Sequence, residues 1–570
     1  MRVFKALPGL ASIIGCAAAS GPFLQTVDSS SWVIGNDLWN ITIGKYYGTK
    51  LYYKDNDLIG DAYGHYVDLP STKVVLSWTS ASIYKETDSY TDIVFTAGEY
   101  GELHWVLQSD LVGAYQYFIV NSFPELGVFR TLVRLDNTTF FSGHTGIKDD
   151  LLPTYSEILA GTKVQDETWE TADGTYITKY DWVNWVREQD FYGVYGDEFG
   201  SWYINPSKEY FNGDHLKQEL MVHRESSTGD VVQLNVMHGT HFMASSDDYV
   251  EQGRMFGPWL WYINNGSIAD ASTRAAQEIT LWPYFFVNDT AYQSRGTITG
   301  TITLTDGTPA SGASVFLGDN NPNETTLDQG RAYYYTTSAS STGTFTFTDV
   351  RTGTYALQAW GNGSPALSSI TTTFLQNDVV VTANETTTLT NLTWTPQQGR
   401  TPIFQIGDLD RKATGFEYGD APHQHALVDK CPANLTYTIG VSNTSDWCFG
   451  QSALGTWDVK FYINSTTNSS TSTAAALLSI SLAGYSKGTS ASIYLNNDTT
   501  STIGNLTSGI IPTDPCLYRS ATSAGEWHLY EFEIAEGVLK SGEWNVLSFV
   551  VTKSTTWKGW IWDSVVLEWV

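Results

Sequence analysis

The stretch from about Tyr292 to Trp394 most narrows what this chain can fold into. It is a succession of short runs: Gly296-Thr297-Ile298-Thr299-Gly300-Thr301-Ile302, Ala313-Ser314-Val315-Phe316-Leu317, Gly343-Thr344-Phe345-Thr346-Phe347 and Gly353-Thr354-Tyr355-Ala356-Leu357-Gln358-Ala359. Alternating β-branched and aromatic residues bounded by turn formers read as strands. A series of this length reads as one small β-sandwich. Strand-like alternation recurs in Trp105-Val106-Leu107-Gln108 and Tyr115-Gln116-Tyr117-Phe118-Ile119-Val120. It recurs again near the carboxyl end, in Glu543–Val551 and Ile561–Glu568. That last region reads as a second sandwich of the jelly-roll sort, an architecture common among carbohydrate-binding modules. No long apolar stripe of helical period stands out, so the expected fold class is all-β. At 570 residues the chain exceeds one ordinary core, so several domains are expected.

The amino terminus carries Arg2 and Lys5, an apolar run from Ala6 to Ile14, and Cys16-Ala17-Ala18-Ala19-Ser20. Those features predict a secretory signal over residues 1–19. Glycosylation sequons support an extracellular protein. They stand at Asn40, Asn137, Asn265, Asn288, Asn323, Asn362, Asn384, Asn391, Asn434, Asn443, Asn464, Asn468, Asn497 and Asn505. No other run is long and apolar enough to predict a membrane span. Beyond the signal, Cys431 and Cys448 close a short loop and are the expected disulfide, leaving Cys516 as a buried thiol; pairing through Cys516 stays open. The net charge of −29 argues against nucleic acid as a partner. It does not exclude an acidic polysaccharide, because screening lets a local basic cleft act independently of distant carboxylates.

The chemistry concentrates between Thr178 and Phe242. There Lys179 lies beside Tyr180 and Trp182, followed by Trp202-Tyr203, Lys217, His223 and Gly239-Thr240-His241. Lysine and histidine move protons near neutral pH, and the aromatic rings suit stacking on sugars. Together they predict an enzyme acting on an acidic carbohydrate. Each residue also has a plainer reading. Lys179 can be a snorkelling surface lysine, the aromatics can be core, and one of Arg130 and Arg134 can be a structural ion pair. His238 and His241, three apart on a strand, face opposite sides, which disfavours a zinc pair. Asp408 and Asp410 suggest either a structural calcium site or a solvated turn.

The chain resembles the fungal rhamnogalacturonan lyases of polysaccharide lyase family 4, in particular their rhamnogalacturonate lyase B branch. The resemblance rests on Phe129-Arg130-Thr131-Leu132-Val133-Arg134-Leu135 with Asp150-Leu151-Leu152-Pro153, and on the Lys179 segment. It rests also on Gly239-Thr240-His241, and on Ile403-Phe404-Gln405-Ile406-Gly407-Asp408-Leu409-Asp410 with Ala413-Thr414-Gly415-Phe416. It implies a large catalytic β-sandwich over residues 20–290, a fibronectin-III-like sandwich over 291–396 and a carbohydrate-binding-like jelly roll over 397–570. It further implies cleavage of the α-1,4 rhamnose–galacturonate bond of rhamnogalacturonan I by β-elimination, with no cofactor required. Lys179 and His241 would be the catalytic pair and Arg130 the binder of the substrate carboxylate. Tyr180, Trp182, Trp202, Tyr203, Lys217 and His223 are the candidate stacking or subsite residues. Tyrosines that precede the histidine in better-known members fall near Leu234 and Val236 here, so no role transfers to them.

Two other classes stay open at this point. A glycoside hydrolase would place two carboxylates roughly 5–10 Å apart across the bond, and Asp190, Asp197, Glu198 and Glu219 are its candidates. A non-catalytic carbohydrate-binding protein would bind pectin without shortening it. A monomer is the default expectation.

Overall fold

The computed structural model describes residues 21–123, 126–239, 242, 250–321, 333–464 and 475–570. His241, the signal over residues 1–19, and the sequons at Asn323 and Asn468 lie outside the described residues.

The first region is a sandwich of two antiparallel sheets. One runs Phe23–Asp28, Ser31–Gly35, Trp39–Ile43, Gly48–Tyr53, Gly64–Leu69, Phe129–Leu135, Val231–His238, Val222–Arg224. The other runs Asp149–Leu151, Ser142–His144, Phe191–Tyr195, Gly200–Ile204, Met255–Asn264, Gly113–Val120, Gly101–Leu107, Thr91–Thr96, Ser80–Glu86. Alternation decides which side chains enter the core. In Phe129–Leu135, the residues Phe129, Thr131, Val133 and Leu135 are buried, whereas Arg130 and Arg134 lie on the outer face and keep partial exposure. Trp105, Phe118, Trp259 and Trp261 fill the space between the sheets.

Helix Ile268–Leu281 covers the outside of the second sheet, which the sequence did not signal. Its N-cap Ser267 accepts a hydrogen bond from Asp270 N–H, and it buries only Ala271, Ala275 and Glu278. Small residues carry the buried face, so no large apolar stripe marks it. Glu278 is satisfied there by Arg274, Tyr115 and Tyr284.

The second region packs the sheet Thr344–Arg351, Arg295–Leu304, Thr386–Trp394 on the sheet Tyr335–Ser338, Ser314–Gly318, Gly353–Trp360, Phe374–Val381, around its own core. The third packs two five-stranded sheets around Trp447, Trp457, Phe549 and Trp562. Cys431 and Cys448 are bonded, and Cys516 is a buried thiol. Asp410 is buried. Its carboxylate caps Lys412 N–H at 2.9 Å, while Asp563 accepts from the backbones of Asp410 and Arg411. Among the described residues no group of three or more metal-ligating side chains collects, and no helix is long and apolar enough to cross a membrane.

Buried polar contacts join the three regions. Glu209 of the first meets Arg295 at 2.8 Å and Arg351 at 2.7 Å, both of the second. Arg411 of the third is sandwiched between Trp360, at 4.2 Å, and Trp527, at 4.1 Å. The third region also docks on the first. Gln218 donates to Ala524 O at 2.9 Å, Gln165 to Tyr518 O at 2.7 Å, and Cys516 Sγ to Phe242 O at 3.0 Å.

Candidate active site

The outer face of the first sheet forms the floor of the site. Register places Arg130 opposite Asp68 and Arg134 opposite Gly64, while Val232, also paired to Arg134, faces His223 on the next strand. Arg130, Arg134, Tyr66, Asp68 and His223 therefore share one side.

Arg130 grips Asp68 with two hydrogen bonds, Nε to Oδ1 at 2.8 Å and Nη2 to Oδ2 at 3.1 Å. Burial works against its charge, but Asp68 overcomes this and raises its pKa. The bidentate pair fixes the guanidinium plane and uses one edge of it. Nη1, on the end-on edge, takes no part in that pair. Arg134 is structural. It reaches Glu225 at 3.1 Å and Asp230 at 3.7 Å, and its Nε donates to Tyr66 Oη at 3.1 Å.

Lys179 opens a single 3-10 turn, Lys179–Trp182, directly after strand Tyr176–Thr178. Thr178 caps the turn by accepting from Tyr180 N–H at 3.3 Å. Tyr180 then donates its hydroxyl to Asp166 at 2.6 Å, which locks its ring beneath the lysine. Lys179 Nζ lies 5.3 Å from that ring centroid. No carboxylate among the described residues lies within ion-pair distance of it. Its pKa is lowered: burial is the chief cause, Glu167 and Asp166 resist, and Arg519 and Arg130 add to the lowering. Asp166 is itself held below the ordinary carboxylate range. Burial pushes it up, but the Tyr180 hydroxyl and the charges of Lys179 and Arg519 prevail.

Arg519 was not anticipated from the sequence. It belongs to the third region, yet its guanidinium lies 5.0 Å from the Tyr180 ring centroid and its Nη2 3.9 Å from Asp166. Tyr180 thus carries cations from two domains. No local motif around Leu517–Arg519 marks this role, which arises only from docking.

His223 is buried, with Nδ1 3.0 Å from the carbonyl of Arg224. That contact requires a proton on Nδ1 and leaves Nε2 with a lone pair. Burial, then the charge of Lys179, lowers its pKa to about 3, which favours the neutral ring.

The stacking expectations are corrected. Tyr180, Trp182, Trp202 and Tyr203 are exposed by 1%, 2%, 0% and 0%, and a ring with no open face cannot stack on a sugar. Trp202 and Tyr203 point to opposite sides of their strand. Trp202 packs toward helix Ile268–Leu281 and donates to Asn264 at 2.9 Å, and Tyr203 enters the core between the sheets. Trp182 lies under Lys148, whose Nζ is 4.4 Å from its centroid. Lys217 is interior rather than at a subsite. It pairs with Glu219 at 2.9 Å and donates to Gly239 O, which Asn212 also holds. His238 is buried with its Nδ1 on Gly127 O. Phe242 is buried against Tyr180 and His423, with centroids at 6.3 and 5.6 Å.

The carboxylates of the hydrolase reading do not face one another across a cleft. Asp190 is exposed and paired with Lys208 at 2.6 Å, Asp197 and Glu198 lie exposed in a turn, and Glu219 is buried against Lys217.

Comparison with known proteins finds relatives over most of the chain. The profile of polysaccharide lyase family 4, domain II, matches residues 294–389, and the CBM-like profile of polysaccharide lyase family 4, domain III, matches residues 402–567. A protein named rhamnogalacturonate lyase from Dickeya dadantii (strain 3937) is 30% identical over 484 residues, covering 81% of this chain and 78% of that protein. Two fungal proteins are more distant. A probable rhamnogalacturonate lyase B of Aspergillus flavus is 24% identical over 78% of this chain and 77% of its own length. The rhamnogalacturonate lyase B of Emericella nidulans is 23% identical over 76% of this chain and 75% of its own.

Proposed function

The chain belongs to polysaccharide lyase family 4 and is a rhamnogalacturonan lyase; from that premise we propose that it cleaves the α-1,4 bond between rhamnose and galacturonate in rhamnogalacturonan I by β-elimination. The observation that carries this reading is the state of Lys179. It is a half-buried amine on a capped turn, away from any carboxylate partner among the described residues, its pKa lowered chiefly by burial and further by two arginines.

Elimination removes the C5 proton of galacturonate and expels O4. A proton beside a carboxylate anion is weakly acidic, so the carboxylate must first be neutralised. The end-on edge of Arg130 does this through a bidentate contact, and Arg519 adds positive charge from the opposite domain. Lys179 in its neutral form then takes the C5 proton. The electron pair forms the C4–C5 double bond as the C4–O4 bond breaks. His241 protonates the departing oxygen. Neutral His223 accepts a hydrogen bond through Nε2. These side chains provide charge neutralisation, base and acid, so the reaction so drawn needs no cofactor.

The protein acts outside the cell in this reading. The amino-terminal Ala6–Ile14 run and the sequon density support it. Of the described sequons, Asn40 and Asn137 are half-buried and the rest are exposed. Asn137 donates its amide to Gly229 O at 2.9 Å and is the poorest acceptor for a glycan. The test of function is the ultraviolet absorbance of unsaturated uronate on mixing the protein with rhamnogalacturonan I or homogalacturonan. A rise with the former alone is expected. New reducing ends without absorbance would overturn elimination.

A further inference from the structure

On the floor beside Arg134, a tyrosine pair is built more firmly than a surface needs. Tyr63 is 50% exposed. Its ring stacks on Tyr47, with centroids 5.3 Å apart and planes at 23°, and Tyr47 in turn meets Tyr66 edge-on at 5.4 Å. The Arg134 guanidinium lies 5.3 Å from the Tyr63 centroid. Because Arg134 projects from the same face as Arg130, the Tyr63 ring lies on the floor side of the sheet. The backbone is fixed as well. Gly64, the next residue, has φ +74°, and a Cβ there would come within 1.7 Å of Gly48 O, so the chain leaves Tyr63 along one path only.

We propose that Tyr63, backed by Tyr47, is a distal carbohydrate-stacking subsite that takes the C–H face of a pyranose of the same polysaccharide chain held at Arg130. This rests on the function proposed above. Three observations define the ligand. The ring is half exposed and backed by Tyr47, which suits stacking at low entropic cost. Arg134 is already neutralised by Glu225 and Asp230, so it clamps the ring and does not call for a carboxylate. The site is continuous with Arg130. Four residues along the strand separate the two arginines, about 13 Å, which leaves room for intervening sugars. The occupant is then the less polar of the two backbone sugars, several rings from the cut bond, and the enzyme grips the interior of long chains.

The test is calorimetric affinity for rhamnogalacturonan I oligosaccharides of increasing length, in a Lys179→Ala chain with and without Tyr63→Ala. In the Tyr63 parent, affinity should climb with length until the distal ring is covered. Tyr63→Ala should lose that climb and bind the long oligosaccharides about three- to tenfold more weakly, while Tyr63→Phe keeps it. Equal affinity with and without Tyr63→Ala at every length would overturn the subsite, as would an equal loss at all lengths. Binding reads the platform whether or not elimination occurs. A native Lys179 protein that shows the climb yet releases no unsaturated uronate would therefore sink the proposed reaction and leave the subsite standing.

Discussion

A lysine acts as a base only where its ammonium form is penalised, and here the penalty is assembled from burial and two guanidinium groups. Lys179→Ala should reduce turnover by about a hundredfold or more at near-parental melting temperature. Lys179→Arg should not restore it, because a guanidinium stays protonated. The sharper test is Arg519→Ala. Arg519 lowers the pKa of Lys179, so its removal lets that pKa rise toward the ordinary lysine value. Less of the base is then neutral at any given pH, and the rising limb of kcat/KM against pH should move to higher pH. An unmoved limb would mean that Arg519 only anchors the domain. The two residues also show what a sequence displays. Arg130 and Lys179 stand in recognisable strings. Arg519 becomes a neighbour only when a region hundreds of positions away docks, and the partner that fixes Arg130, Asp68, is known only through strand register.

At the scale of elements, alternation told where strands lie but not which face meets sugar. Trp202 and Tyr203 sit near basic residues in the sequence, yet the strand sends one toward the helix layer and the other into the core. The helix itself escaped notice because Ala271 and Ala275 make its buried contacts. The turn that bears Lys179 also contains a half-buried acid. Asp181 is pushed up to about 7 by burial, with Lys148 opposing, and its Oδ1 has no hydrogen-bond partner. A carboxyl raised in the folded state contributes stability below its unfolded value, and that contribution is lost as pH rises through the folded one. The protein should therefore lose stability between about pH 4 and pH 7 on account of Asp181. Asp181→Asn removes this loss. Its melting temperature relative to the parent should be higher at pH 8 than at pH 5, and an offset independent of pH would refute the assignment.

For the whole molecule, the candidate active site draws on more than one domain, and Glu209 is the joint on which the first two depend. Burial would raise its carboxyl, but Arg351 and Arg295 outweigh burial and bring it down to about 2. Tyr335 Oη donates to the same carboxylate at 3.0 Å, and Tyr334 N–H donates to the Glu209 backbone carbonyl. Replacing one partner of such a cluster leaves the others charged and without a counterion in a dry interface, which typically costs about 3–5 kcal/mol. Glu209→Gln keeps the shape and removes the charge, so it should lower the melting temperature at pH 7 by that order of free energy. The pH dependence separates charge from packing. A depressed carboxyl contributes stability above its unfolded value, near 4.5, and loses it as pH falls toward 2. The parent should weaken on acidification across that window, and Glu209→Gln should weaken less, so their melting curves converge at low pH. A difference that stays constant from pH 7 to pH 3 would show that the joint is held by shape, with the buried charges contributing nothing net.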